Sequence, residues 1–228
     1  MSAQVPPQFQ HEPAAAATSW GPLVRGGASF RTRELRQVSA DRQEFVATRG
    51  MMLAPLFVFV LMVIQTGMCI FIYRFFAGDM ELGELWEKRR FVPLFGLGFG
   101  ALGCVMMLGA ATFLWFAARR PVVLDRPSGF FWKGTRDPSQ ADPATIRNCA
   151  LLSESVGLQI LSEYVVKRDN EGAAHRFHSF ELNLVLSDAS RVNIVDHGNL
   201  KALRNDAAMV AEFLSVPVWD ATLQSKPS

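Results

Sequence analysis

The chain has 228 residues, half of them hydrophobic and 19% charged, with a formal net charge of +2. That length allows one modest domain with accessories. The near balance of 23 basic against 21 acidic side chains offers no broad basic field for nucleic acid. Three cysteines, Cys69 and Cys104 inside apolar runs and Cys149 alone, exclude a disulfide framework.

Residues 1–30 hold four prolines and the Ala14–Ala17 run. Such composition buries too little surface to offset chain entropy, so a disordered segment is expected. Residues 31–50 mix Arg31, Arg33, Arg36, Arg42 and Arg49 with Leu35, Val38, Phe45 and Val46. Together, 1–50 reads as a disordered N-terminal segment with a basic juxtamembrane part. That part is either a solvated stop or a helix lying on anionic headgroups, where each Arg contributes about 1 kcal/mol.

Met51–Tyr73 runs 23 residues without a charge and Phe91–Ala118 runs 28. Both exceed the roughly 20 residues that cross a hydrocarbon core of about 30 Å. The first run starts too far in and is too long for the core of a signal peptide. Residues 51–118 are therefore predicted to form an α-helical transmembrane hairpin, with spans at about 51–73 and 91–118. Pro55 and Pro93 are expected near helix starts, where a missing N–H costs least. In the second span, Gly96 and Gly100 make a small-xxx-small pair that Gly103 extends, a helix-packing face that lets another backbone approach closely. Its partner is either the first span or, in a homo-oligomer through the transmembrane helices, a second copy. Arginines before the first span and after the second outnumber those of the loop (Arg74, Lys88, Arg89, Arg90), which places both termini in the cytoplasm.

Past Pro121 the pattern changes to that of a β-rich domain, 119–228. PVVLDRPSGFFWKG (121–134) reads as strand, turn at Arg126–Gly129, strand. TRDPSQADPAT (135–145) is a polar loop. A strand near 147–152, a turn at Ser153–Gly157 and a longer strand from Leu158 are expected next. Phe180, Leu182, Leu184 and Leu186 alternate with Glu181, Asn183 and Val185, and after Ser187–Ser190 Val192 and Ile194 alternate with Arg191 and Asn193, giving an antiparallel hairpin with one buried face. Asn199 caps a helix at about 199–215, whose stripe of Leu200, Leu203, Ala207, Val210 and Leu214 covers an open side of the sheet.

The domain's candidate chemistry is sparse. Asp196 and His197 are neighbours in a strand, where successive side chains point to opposite faces. With Asn199 they read as a structural turn or an interaction site, not as a catalytic dyad. His175, His178 and His197 lack the ligand number a zinc site wants, so no metal and no cofactor are expected. No phosphate loop or nucleophile elbow appears. Residues 121–228 carry 11 basic and 13 acidic side chains, which argues against nucleic acid as a partner.

VVLDRPSGFFWKG (122–134), LSESVGLQIL (152–161), ELNLVL and RVNIV (181–195) and AEFLSVPVWD (211–220), behind a transmembrane hairpin, resemble bacterial two-transmembrane-helix proteins with a cytoplasmic pleckstrin-homology-like β domain. The resemblance implies a PH-like barrel or sandwich closed by a C-terminal amphipathic helix. It also implies a non-catalytic binding or assembly module of the inner membrane, not an enzyme. Its partners would be the lipid bilayer and an unknown membrane protein. The alternative is a regulatory subunit of a transport or envelope-processing complex.

Overall fold

The computed structural model describes residues 4–77, 91–140, 148–168 and 172–224. The connecting segment 78–90, the end of the expected polar loop with the start of the strand expected at 147, and residues 169–171 lie outside them. The chain divides into two units: Met1–Thr48 with Arg120–Ser228, and Arg49–Arg119.

The second unit holds two helices, α2 (Arg49–Ala77) and α3 (Phe91–Ala118), both long and apolar enough to cross a membrane. Their large side chains are turned outward, as at Phe57, Phe71, Phe99 and Phe113. A soluble surface does not carry so much contiguous apolar area. Because α2 begins at Arg49, Pro55 falls inside the helix and not in its first turn, and its ring withholds one N–H from the helical ladder.

Among the described residues the first unit holds nine strands, and two of them correct the reading of the N-terminus. Residues 31–50 are neither a solvated stop nor a surface helix: β1 (Arg33–Ser39) and β2 (Arg42–Ala47) form an antiparallel hairpin. Their pattern alternates, with Gln43, Phe45 and Ala47 buried on β2, and three of the arginines that resembled a juxtamembrane cluster serve the fold. Arg31 pairs with Asp206 at 2.9 Å, Arg42 with Glu44 at 2.8 Å, and Arg33 donates to the carbonyls of Phe45 and Arg120.

Strand β2 is followed by α2 and α3, yet its neighbour in the sheet is β3 (Val122–Asp125), with Phe45 opposite Val122 and Arg42 opposite Asp125. The two long helices are thus an insertion between adjacent antiparallel strands, not an anchor placed ahead of the domain. After β3 the chain turns at Arg126–Gly129, where Gly129 takes a positive φ of 76° and donates to the Arg126 carbonyl. It returns as β4 (Phe130–Lys133), and β5 (Cys149–Leu151) completes a five-stranded meander in the order β1-β2-β3-β4-β5.

The second sheet runs β8-β7-β6-β9. Strands β6 (Ser155–Arg168) and β7 (Ala174–Leu186) form a long hairpin, and β8 (Arg191–His197) follows after the expected turn. Ser153–Gly157, expected as a turn, gives a 3-10 turn at Leu152–Glu154 and then the start of β6. Helix α4 (Leu200–Leu214) has its N-terminus capped by the Asn199 side chain, which accepts from the Ala202 N–H at 3.0 Å. Past it, β9 (Val218–Asp220) pairs parallel to β6. The core joins both sheets and the helix. Phe45, Leu124 and Phe131 come from the meander, Leu158, Ile160, Leu182, Leu184 and Ile194 from the second sheet, and Leu203, Ala207, Val210 and Phe213 from α4.

The N-terminal residues are the second correction. From Val5 onward they pack on the outer face of the second sheet, with α1 (Pro13–Ala17) as a single helical turn. Ala15 and Trp20 are buried against Leu161, Val185 and Trp219, and Trp20 stacks on Phe9 at 5.3 Å. The composition argument failed because two aromatics and short alanines find a prepared apolar strip on that face.

Candidate interaction surface

Alternation along β6, β7 and β8 puts Leu158, Ile160, Leu182, Leu184 and Ile194 inward and Gln159, Glu163, Glu181, Asn183, Asn193 and Asp196 outward. The N-terminal segment crosses this polar face from β9 to β8, and hydrogen bonds mark its path. The indole N–H of Trp219 donates to Glu12, Gln159 donates to the Ser19 carbonyl at 3.1 Å, and Arg191 donates to the Gly21 carbonyl at 2.8 Å. Glu181, 4% exposed, accepts the backbone N–H groups of Leu23 at 3.0 Å and Val24 at 3.3 Å. Glu163 accepts that of Gly26 at 2.9 Å. Two glycines are required by close approach: a Cβ on Gly27 would collide with Ser179, and one on Gly198 with the Ser29 backbone.

Under this crossing lies a chain of polar groups. Lys133 donates to Asn193 Oδ1 at 2.6 Å, and Asn193 Nδ2 donates to Asp196 Oδ1 at 3.0 Å. Burial, with the Glu181 carboxylate as the next cause, raises the Asp196 pKa to about 6, while burial lowers that of Lys133 to about 8. Perturbed acids and bases of this kind often mark catalytic centres. Here the Gly27 backbone lies over Asp196 and Thr32 donates to the Asp196 carbonyl, so the group is built into the fold.

Asp196 and His197 do not act on each other. Asp196 sits opposite Glu181 on the outer face and His197 opposite Phe180, fully buried. His197 Nδ1 accepts the Asn199 N–H at 3.2 Å, which leaves the proton of the neutral ring on Nε2, buried with no hydrogen-bond partner among the described residues. Burial, then the Arg31 charge, lowers its pKa to about 4. Of the three residues expected at a structural turn or an interaction site, His197 ends β8 fully buried and Asn199 is the helix cap.

His175 pairs across from Lys167 and His178 from Tyr164, so the two imidazoles lie on opposite faces of the hairpin. Among the described residues no three His, Cys, Asp or Glu groups gather as a metal ion would need. The glycine face of α3 meets α2. A Cβ on Gly100 would stand 2.5 Å from Cys69 Sγ, one on Gly103 would collide with Gln65, and one on Gly96 would lie 3.9 Å from Ile72. Across the same seam Thr66 Oγ1 lies 3.1 Å from Cys104 Sγ.

An open surface lies elsewhere. The β6–β7 hairpin continues past β9 and β8, because β9 pairs β6 only at Leu158–Ile160 and β8 pairs β7 only from Phe180 onward. On this extension Tyr164 is 56% and Val166 50% exposed. Tyr164, His178 and Phe180 form an aromatic row, with ring centroids 5.2 and 6.3 Å apart. At its base a groove of about 570 Å³ is lined by Trp20, Leu161, Ser162, Tyr164, His178 and Phe180, with Leu200, Ala221 and Thr222. Sequence reading missed this surface, although the alternation of LSEYVVKR offered the signal. Comparison of the chain with protein-family models, curated proteins and solved structures returned no match.

Proposed function

We propose that the protein is a membrane-anchored, non-catalytic assembly module: a PH-like β domain split by a transmembrane hairpin. The PH-like assignment is supported by two packed sheets joined by an amphipathic helix in one core. The membrane assignment is supported by the outward apolar side chains of α2 and α3. The observation that carries the functional reading is the distribution of polar groups. Buried ionisable side chains are tied into the N-terminal crossing, whereas the β6 edge, without a partner strand among the described residues, and its aromatic groove are exposed. A photo-cross-linking residue placed at Tyr164 in the full chain, in its membrane, should capture a protein. The same residue at Asp188, in the β7–β8 turn, should capture none. Absence of protein adducts at both positions overturns the reading.

The pairing of β2 with β3 supports an even number of crossings, because the chain leaves at Ala47 and re-enters at Val122 in adjacent strands. The arginine bias orients both termini to the cytoplasm. A cysteine at Ser187 should then resist an impermeant thiol reagent in intact cells and one at Gly83 should react; the reverse pattern inverts the orientation.

A further inference from the structure

Along β6 from Leu161 to Arg168 the edge away from β7 has no partner strand among the described residues. Natural sheets guard such edges with proline, bulges, charged side chains or a covering helix or loop. This one has no proline, no register shift past Gly157, and charges of both signs.

We propose that this edge joins two copies of the chain, β6 to β6 and antiparallel, about a two-fold axis at Val165. The argument is the spacing of the side chains about that point. In that register Glu163 of each copy faces Lys167 of the other, Tyr164 faces Val166, and Ser162 faces Arg168. Opposite charges and an aromatic–β-branched pair are the cross-strand neighbours that stabilise antiparallel strands. A two-fold axis repeats each pair, as a closed isologous interface requires. Moving the register by two residues keeps the sheet faces aligned but sets Glu163 against Val165, or Val165 against Lys167, and the charge match is lost. The available length also fits. Pairing over 162–168 stops short of β9, and the groove at Ser162, beside Ala221 and Thr222, is where the other copy's Arg168 arrives. The glycine face of α3 is already occupied by α2 of the same chain and does not compete with this edge for a second copy.

The inference rests on the assembly reading above and names its partner. The test is the mass of the full chain in nanodiscs or mild detergent over a dilution series. Wild type should be a dimer. Glu163→Lys and Lys167→Glu each place like charges opposite one another twice, and each should weaken the dimer at least tenfold. The double exchange should restore it to within about threefold of wild type, even though it lacks the Glu163 bond to Gly26. A wild type that stays monomeric overturns the proposal, as does a dimer indifferent to the single changes or one the double exchange fails to restore. A monomer whose Tyr164 position still captures another protein leaves the assembly reading standing and removes only the second copy; capture of nothing removes both.

Discussion

The two faces of the four-stranded sheet are covered by different physics. The inner face presents Leu158, Ile160, Leu182, Leu184 and Ile194 to the meander and to α4, and is held by excluding water from apolar area. The outer face presents Glu181, Asn183, Asn193 and Asp196 and is covered by an N-terminal segment with little regular structure. That segment is held by carboxylates accepting its backbone N–H groups and by a small apolar patch around Trp20 and Trp219. A polar sheet face can thus be as closed as an apolar one, provided the covering chain supplies donors where the sheet supplies acceptors.

The comparison breaks first at its two anchors. Leu184→Ala should destabilise the protein by about 2–5 kcal/mol by leaving a cavity on the inner face. Trp20→Ala should cost about 3–5 kcal/mol, because its ring is buried and stacked on Phe9. Chemical denaturation of the full chain in detergent measures both. A Trp20 variant losing under about 1 kcal/mol, against the range for buried aromatics, would mean that the outer covering is not part of the cooperative fold.

The carboxylate contacts come next. Glu181→Gln keeps the shape but makes the bonds to Leu23 and Val24 neutral, and should cost about 1–2 kcal/mol given the usual worth of charged hydrogen bonds. Hydrogen exchange should quicken at residues 21–27 and stay unchanged along β8. Uniform quickening would contradict a locally held segment. In the helical unit Gly100→Leu should cost about 1–3 kcal/mol by overpacking against Cys69. An unchanged thermal midpoint would show that α2 gives way there.

The difference between the faces also explains what was legible in the sequence. Period-two alternation in ELNLVL and RVNIV located the hairpin, and the stripe of Leu203, Ala207 and Val210 located α4, since both patterns are the direct imprint of an apolar core. β1 and β2 were hidden because the long apolar runs made every nearby arginine look like a membrane flank. Phe45 and Ala47, alternating with Glu44 and Val46, carried the strand signal beneath it. The crossing segment was hidden more deeply, since backbone donors leave no periodicity and its two proline-flanked aromatics resemble a disordered tail. Among the candidate residues, adjacency in a strand correctly set Asp196 and His197 apart. Nothing local to DHGN showed that His197 would be buried, because that depends on Phe180 opposite it and on the chain near Ser29.

The smallest expected effect is also the sharpest test of the two faces, because Asp196 and His197 report on them with opposite sign. Asp196 has a folded pKa raised to about 6. Its contribution to stability is therefore fully present below its ordinary value near 4 and is lost as pH rises through about 6. His197 has a folded pKa lowered to about 4. The folded state resists its protonation, so its contribution is present above the ordinary value near 6.5 and is lost as pH falls toward 4. The two windows overlap, and between about pH 4 and 6 the slopes oppose each other, leaving the wild type with a weak dependence from this pair. Asp196→Asn removes the rising-pH loss, so the variant should be more stable than wild type at pH 7 and should weaken steadily on acidification. His197→Gln keeps a polar side chain at the buried site without the titration. Whatever its absolute cost, it should gain stability on going from pH 6.5 to pH 4.5, by on the order of 1 kcal/mol. Denaturation midpoints of the three proteins at pH 4.5, 5.5, 6.5 and 7.5 separate the terms. Parallel pH profiles for all three would mean that neither residue's titration is shifted by folding as assigned.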